Sequence, residues 1–138
     1  MSGLHVERTA DDIYVMYVGD ASRATVNDWA DQLKALYAMY QSTGGHLRLL
    51  YQFERSILPT PYLLKRAIGV INNKPVGLNV SAAIIVPNSN IYMGMHYIMS
   101  RLYKSDHMHL IDNYEEGIDW LQKRDPDTKQ NPTKEQNK

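Results

Sequence analysis

The chain runs through its elements in a fixed rhythm: two strand-like stretches, then helix and strand in strict alternation, up to a closing helix over residues 113–123. Alternation of this kind leaves few ways to bury the apolar faces. The economical one is a single small sheet covered by helices. The reading is therefore α/β, one domain, with a mixed five-stranded sheet and about four helices.

Residues 4–8 alternate apolar and polar, as a half-buried strand does. Asp11-Asp12 reads as a hairpin turn, and Ile13, Tyr14, Val15, Tyr17 and Val18 supply the β-branched and aromatic content of a second strand. Thr25, with Asp28 three residues on, reads as the opening of a helix. In that helix Val26, Trp29, Ala30, Leu33, Leu36, Tyr37 and Tyr40 form one apolar stripe, and Gly44-Gly45 stops it. Residues 46–53 are nearly continuously apolar, the pattern of a central strand covered on both faces.

Thr60 as N-cap and Pro61 at the first helical position start a second helix, with Leu64, Ala67, Ile68 and Ile71 inward. Residues 80–86 read as another central strand, 91–103 as the third helix after a cap in Pro87-Asn88-Ser89-Asn90, and 107–111 as a short fifth strand. In the last helix Tyr114, Ile118 and Leu121 are expected to face in. From Asp125 the sequence is polar and proline-marked, so the folded domain is expected over 1–124 and a disordered tail over 125–138.

Composition narrows the function. Fifteen basic and fifteen acidic residues cancel, which argues against a nucleic-acid partner. The chain has no cysteine, so disulfides, thiolate metal sites and cysteine nucleophiles are excluded. The first residues lack the pattern of a signal peptide, and every apolar run is far shorter than the roughly 20 residues of a membrane span. A soluble cytoplasmic protein with no transmembrane segment is expected.

The order of elements, joined to a short strand leading into Asn113-Tyr114-Glu115-Glu116-Gly117-Ile118-Asp119-Trp120-Leu121, resembles the sulfate-transporter and anti-sigma-factor-antagonist (STAS) fold. The likeness is strongest to its bacterial sporulation-antagonist-like branch, which is related to the lipid-carrying Sec14 domains. It spans roughly residues 4–124, and its most specific piece is the closing helix, with an acidic pair, a small residue and then Trp-Leu. The resemblance implies a non-catalytic regulatory module. In such antagonists a kinase modifies a serine or threonine at the start of the helix after the third strand, which corresponds here to Thr60, with Ser56 nearby. The usual Asp-Ser-Ser-Gly-like stretch is replaced by Pro59-Thr60-Pro61.

The third helix is apolar nearly all round. Ile91, Met95, Ile98 and Leu102 make one stripe, Tyr92, His96, Met99 and Tyr103 the next, and Met93, Tyr97 and Arg101 lie on the far side. Such a helix is either deeply buried or covered by something else, and methionine and tyrosine suit adaptable binding surfaces. Two readings follow. In the first, the chain is a protein-interaction module that meets a protein partner or a second copy through the loop after the third strand and the helices beginning at Thr60 and Ile91, with Met93, Tyr97 and Arg101 as the interaction surface. In the second, it carries a lipid or small apolar ligand in a pocket walled by Tyr62, Tyr92, Met95, His96 and Met99.

His107 and His109 share the i, i+2 spacing of one strand face, with Asp106 and Asp112 close by, but no third imidazole stands at a recognisable spacing, so no metal is assigned. There is no Gly-x-Ser-x-Gly, His-Glu-x-x-His or phosphate-cradling glycine loop, so neither an enzyme nor a cofactor is assigned. Arg55, Lys65 and Arg66 form a small basic cluster, read as solvated charge.

Overall fold

Three consecutive strand–helix–strand units set the architecture. The computed structural model describes residues 2–124; the expected tail at 125–138 lies outside the described residues. The elements are β1 (Leu4–Arg8), β2 (Ile13–Val18), α1 (Arg23–Thr43), β3 (His46–Phe53), α2 (Pro61–Asn72), β4 (Asn79–Ile85), α3 (Ser89–Ser100), β5 (Met108–Ile111) and α4 (Tyr114–Gln122). The five strands lie side by side in chain order, with β1 antiparallel to β2 and every later pair parallel. This is the α/β fold, mixed five-stranded sheet and four helices that the sequence implies.

Strand order dictates helix placement. Parallel neighbours joined by right-handed crossovers, all stepping the same way, put every crossover helix on the same face. Accordingly α1, α2 and α3 share one apolar core with Tyr14, Met16, Leu49, Tyr51, Val80, Ile84 and Met108 from the front of the sheet. The back face is left to α4, which returns across β3 and β4 and closes a second, smaller core of Ile13, Val15, Leu50, Ala83, Ile111 and Leu121. Central strands buried on both faces are why residues 46–53 and 80–86 read as nearly continuous apolar runs.

Local chemistry fixes the helix ends, and at several points the structure departs from the sequence reading. Helix α1 begins at Arg23, not after Thr25. Ser22 is the N-cap and accepts from the Thr25 amide, while the Thr25 hydroxyl turns to Asp20 at 2.6 Å and accepts from the Gly3 amide at 2.8 Å. Helix α3 stops at Ser100, so Leu102 and Tyr103 leave the stripes assigned to them. The cause is Asn72 of α2, whose amide donates to the Arg101 carbonyl and whose oxygen accepts from the Tyr103 amide at 2.8 Å. In α4, Tyr114 is at the first position and 38% exposed rather than inward; Gly117 and Leu121 are the buried residues and Ile118 is half-buried. On α2 the fully buried residues are Leu63, Ala67 and Val70, while Leu64, Ile68 and Ile71 are half-buried flanks of the same core.

The caps at Gly44 and Thr60 are as read. Gly44 ends α1 in the left-handed region at φ 78°, its amide donating to the Tyr40 carbonyl at 2.8 Å. Thr60 caps α2 with Pro61 behind it. Asn88 caps α3, which starts at Ser89 rather than Ile91, and Asn113, read as the first residue of the last helix, is its cap instead.

Candidate interaction surface and inner cavity

Helix α3 turns Ile91, Gly94, Met95 and Ile98 into the core. Gly94 lets it sit close on the β3–α2 connection, where a Cβ would come within 3.3 Å of Pro59. The opposite side is exposed and largely apolar: Tyr92 is 49%, Met93 68% and Tyr97 45% accessible. The Arg101 guanidinium lies 4.9 Å from the centre of the Tyr97 ring, and the His96 ring meets Tyr92 edge-on at 4.4 Å. Met93, Tyr97 and Arg101 thus share one exposed flank. On a water-facing helix these positions are ordinarily charged; α1 carries Arg23, Asp31 and Lys34 on its exposed side.

The second set of residues does not converge as a pocket. Of Tyr62, Tyr92, Met95, His96 and Met99, Met95 alone reaches the cavity beneath the helices. Tyr92 and His96 face outward and Met99 is half-buried. Tyr62 belongs to a clasp between helices, its hydroxyl donating to Asn27 of α1 while the Arg23 guanidinium covers its ring at 4.2 Å.

The cavity itself lies between the front of the sheet and α1, α2 and α3. It holds about 60 Å³, and its wall includes Trp29, Tyr51, Phe53, Ala67 and Ile84. Inside that wall the Trp29 indole Nε1–H donates to the Tyr51 hydroxyl at 2.9 Å, with the two rings edge-on and 6.5 Å apart. Burial pushes the Tyr51 phenol well above the ordinary tyrosine range. Sequence reasoning missed this pair because nothing local links positions 29 and 51; they meet only once α1 has folded back over β3.

The hydroxyls assigned to modification are both engaged. Thr60 is half-buried and accepts from the Leu63 amide at 3.1 Å as the α2 cap. Ser56 is exposed and donates to the Glu54 carboxylate at 2.6 Å, which together with the Ser56 amide holds that carboxyl below its usual range. A phosphate on Ser56 would lie beside that carboxylate, and one on Thr60 would face a helix start whose first residue, Pro61, has no N–H to offer.

A serine–imidazole contact also forms, unforeseen from the sequence. Ser81 Oγ and His46 Nε2 are 2.8 Å apart, on the back faces of β4 and β3. Ser81 is 2% exposed, and the Arg124 Nε donates to the same oxygen at 3.4 Å. Shut in this way, the hydroxyl gives no access to a substrate carbonyl, and the group works as a tie. Beside it Arg48 sends its Nε to the Leu121 carbonyl at 2.9 Å and an Nη to the Arg124 carbonyl at 2.6 Å, closing the C-terminus of α4.

His107 is buried just ahead of β5, whereas His109 is exposed on it and stacks on Trp120 at 4.8 Å. His96 lies on α3. Among the described residues, no group of three or more His, Cys, Asp or Glu is arranged to hold a metal ion. No helix among the described residues is long and apolar enough to cross a membrane. The chain matches no known family model, no curated protein and no solved structure.

Proposed function

We propose that the chain is a non-catalytic protein-interaction module of the STAS-like type, and that its partner through α3 is a second copy of itself. The observation that carries this is the outer side of α3, where Tyr92, Met93 and Tyr97 are each at least 45% exposed without an acidic residue among them. Tyrosine, methionine and arginine are the residues that protein interfaces concentrate. A twofold contact places the same patch on both partners. If two α3 helices cross antiparallel near Met93 and Tyr97, apolar side chains meet at the centre. Each Arg101 stays at an outer end over its own Tyr97 ring, so the two cations remain apart.

The carrier reading is less well supported by the geometry. A cavity of about 60 Å³ is small beside the roughly 150 Å³ of an engineered apolar cavity that takes benzene. A lipid chain asks for far more.

The test is oligomeric state. Light scattering is expected to show a concentration-dependent dimer for the wild-type chain, and Met93→Glu or Tyr97→Glu is expected to give a monomer with an unchanged melting temperature. A wild-type chain that stays monomeric into the millimolar range would end the proposal.

A further inference from the structure

The inner cavity carries chemistry that the interaction surface does not use. Its wall residues are buried apart from Phe53 and Ile71, which are half-buried, and it is apolar almost throughout. Two of its side chains bear hydroxyls, Thr25 and Tyr51. The Thr25 hydroxyl is fully committed: it donates to Asp20 and accepts from the Gly3 amide. The Trp29 N–H is committed to Tyr51.

Tyr51 is different. Its oxygen accepts from Trp29, but among the described residues no acceptor stands within hydrogen-bond distance for its own proton. The residue is 8% exposed, and burial keeps the phenol protonated across the physiological range. A buried donor without an acceptor is costly. It is also a feature that a bound molecule can satisfy. Trp29 fixes the phenol oxygen from one side, so a donor is held in place within an otherwise dry wall.

We infer that this cavity is a binding site for a small neutral molecule with a short apolar body and a single hydrogen-bond-accepting oxygen, a ketone, aldehyde or ester, received by the Tyr51 hydroxyl. Size sets the body. At about 10–15 Å³ for each water-sized position, the space of about 60 Å³ corresponds to roughly four such positions, hence a skeleton of about four heavy atoms. Charge is excluded by the wall, because an ion here would lose its hydration for a single hydrogen bond. Met95 and Met108 line the same space, and their flexible thioethers let the wall yield to slightly different shapes.

The experiment uses the whole chain and two probes of four heavy atoms each, acetone and isobutane, followed by the side-chain methyl NMR signals of Ile84, Ile98, Met95 and Met108. Saturable shifts with acetone are expected at these methyls and not at Ile13 or Ile111 behind the sheet. Isobutane is expected to bind at least ten-fold more weakly. Tyr51→Phe should erase that preference while leaving isobutane binding, and Ala67→Leu, which fills the space from α2, should abolish both. No saturable shift at any acetone concentration that leaves the fold intact would overturn the site, as would water alone occupying it. Equal affinity for the two probes in the wild-type chain would overturn the role of the hydroxyl, whatever the stability of Tyr51→Phe. None of these readouts depends on dimer formation, so the two proposals fail separately.

Discussion

Gly117→Ala is the sharpest probe of how α4 is seated. A Cβ at this position would fall on Ile111 Cδ1 and lie 2.6 Å from Leu50 Cδ1, with Ala83 Cβ at 3.7 Å. Both methyl ends belong to side chains in the sealed back core, Leu50 at 0% and Ile111 at 5% exposure. They can yield only by leaving their rotamers or by lifting the helix. Overpacking of this sort costs about 1–3 kcal/mol, against a helix-propensity gain of about 1 kcal/mol for alanine over glycine. A net loss of about 1 kcal/mol is expected from urea unfolding at constant m.

Two companion variants separate the contributions. Gly69→Ala in α2, where a Cβ would meet nothing within 4 Å, isolates propensity and should stabilise by about 0.5–1 kcal/mol. Ile111→Val removes the obstructing methyl and by itself costs about 0.5–1.5 kcal/mol. Combined with Gly117→Ala it should be less harmful than the sum of the two single changes, by about 0.5 kcal/mol or more. Additivity to within about 0.3 kcal/mol would mean that Gly117 is not where α4 touches the sheet, and the reasoning would fall.

Two further outcomes follow from the network at the helix ends. Arg48→Met removes both bonds to the α4 carbonyls; with charge-assisted bonds at about 1.5–3 kcal/mol, a loss of about 2–3 kcal/mol is expected, with amide exchange in α4 accelerated more than in α1. Asp20 accepts from the Ser22 and Thr25 hydroxyls, which hold its carboxyl below the usual range. A depressed folded value means that its stabilisation is complete above the unfolded value of about 4 and disappears as pH falls through the folded one. Melting curves of wild type and Asp20→Asn should therefore differ at neutral pH and converge in acid; a gap that does not change with pH would contradict this.

What could be read from the sequence was whatever a short stretch decides for itself. The bounds of β1, β2 and β3 follow from alternation and β-branched content, and Thr60-Pro61 and Gly44 announce helix ends by chemistry that needs no distant partner. The α1 start was misread because Asp20 and Ser22 build a local network in which Thr25, itself a good cap, is recruited as a bridge to Gly3. The α3 end was misread because Asn72, almost thirty residues earlier, intercepts the backbone at Arg101 and Tyr103. The Trp29–Tyr51 pair, the His46–Ser81 tie and the Arg48 clamp are all products of strand order, which no window of the chain contains. Gly117 lies between the two cases: as the small residue after an acidic pair it is visible in the sequence, but the reason for it, Leu50 and Ile111 directly beneath, is not.

Strand order also explains why an exposed apolar surface belongs on α3. Along the front layer α2 packs between α1 and α3, so α3 ends the row, and in a wider sheet a further helix would cover it. The adjoining sheet edge is β5, four residues long, and a short edge strand offers little to backbone pairing. The opposite edge, β1, carries exposed His5, Glu7 and Arg8, charged or titratable side chains of the kind that keep other strands away. With both edges guarded, association through β-augmentation is disfavoured. The exposed apolar side chains Met93 and Tyr97 stand instead on the last helix of the row, away from both edges.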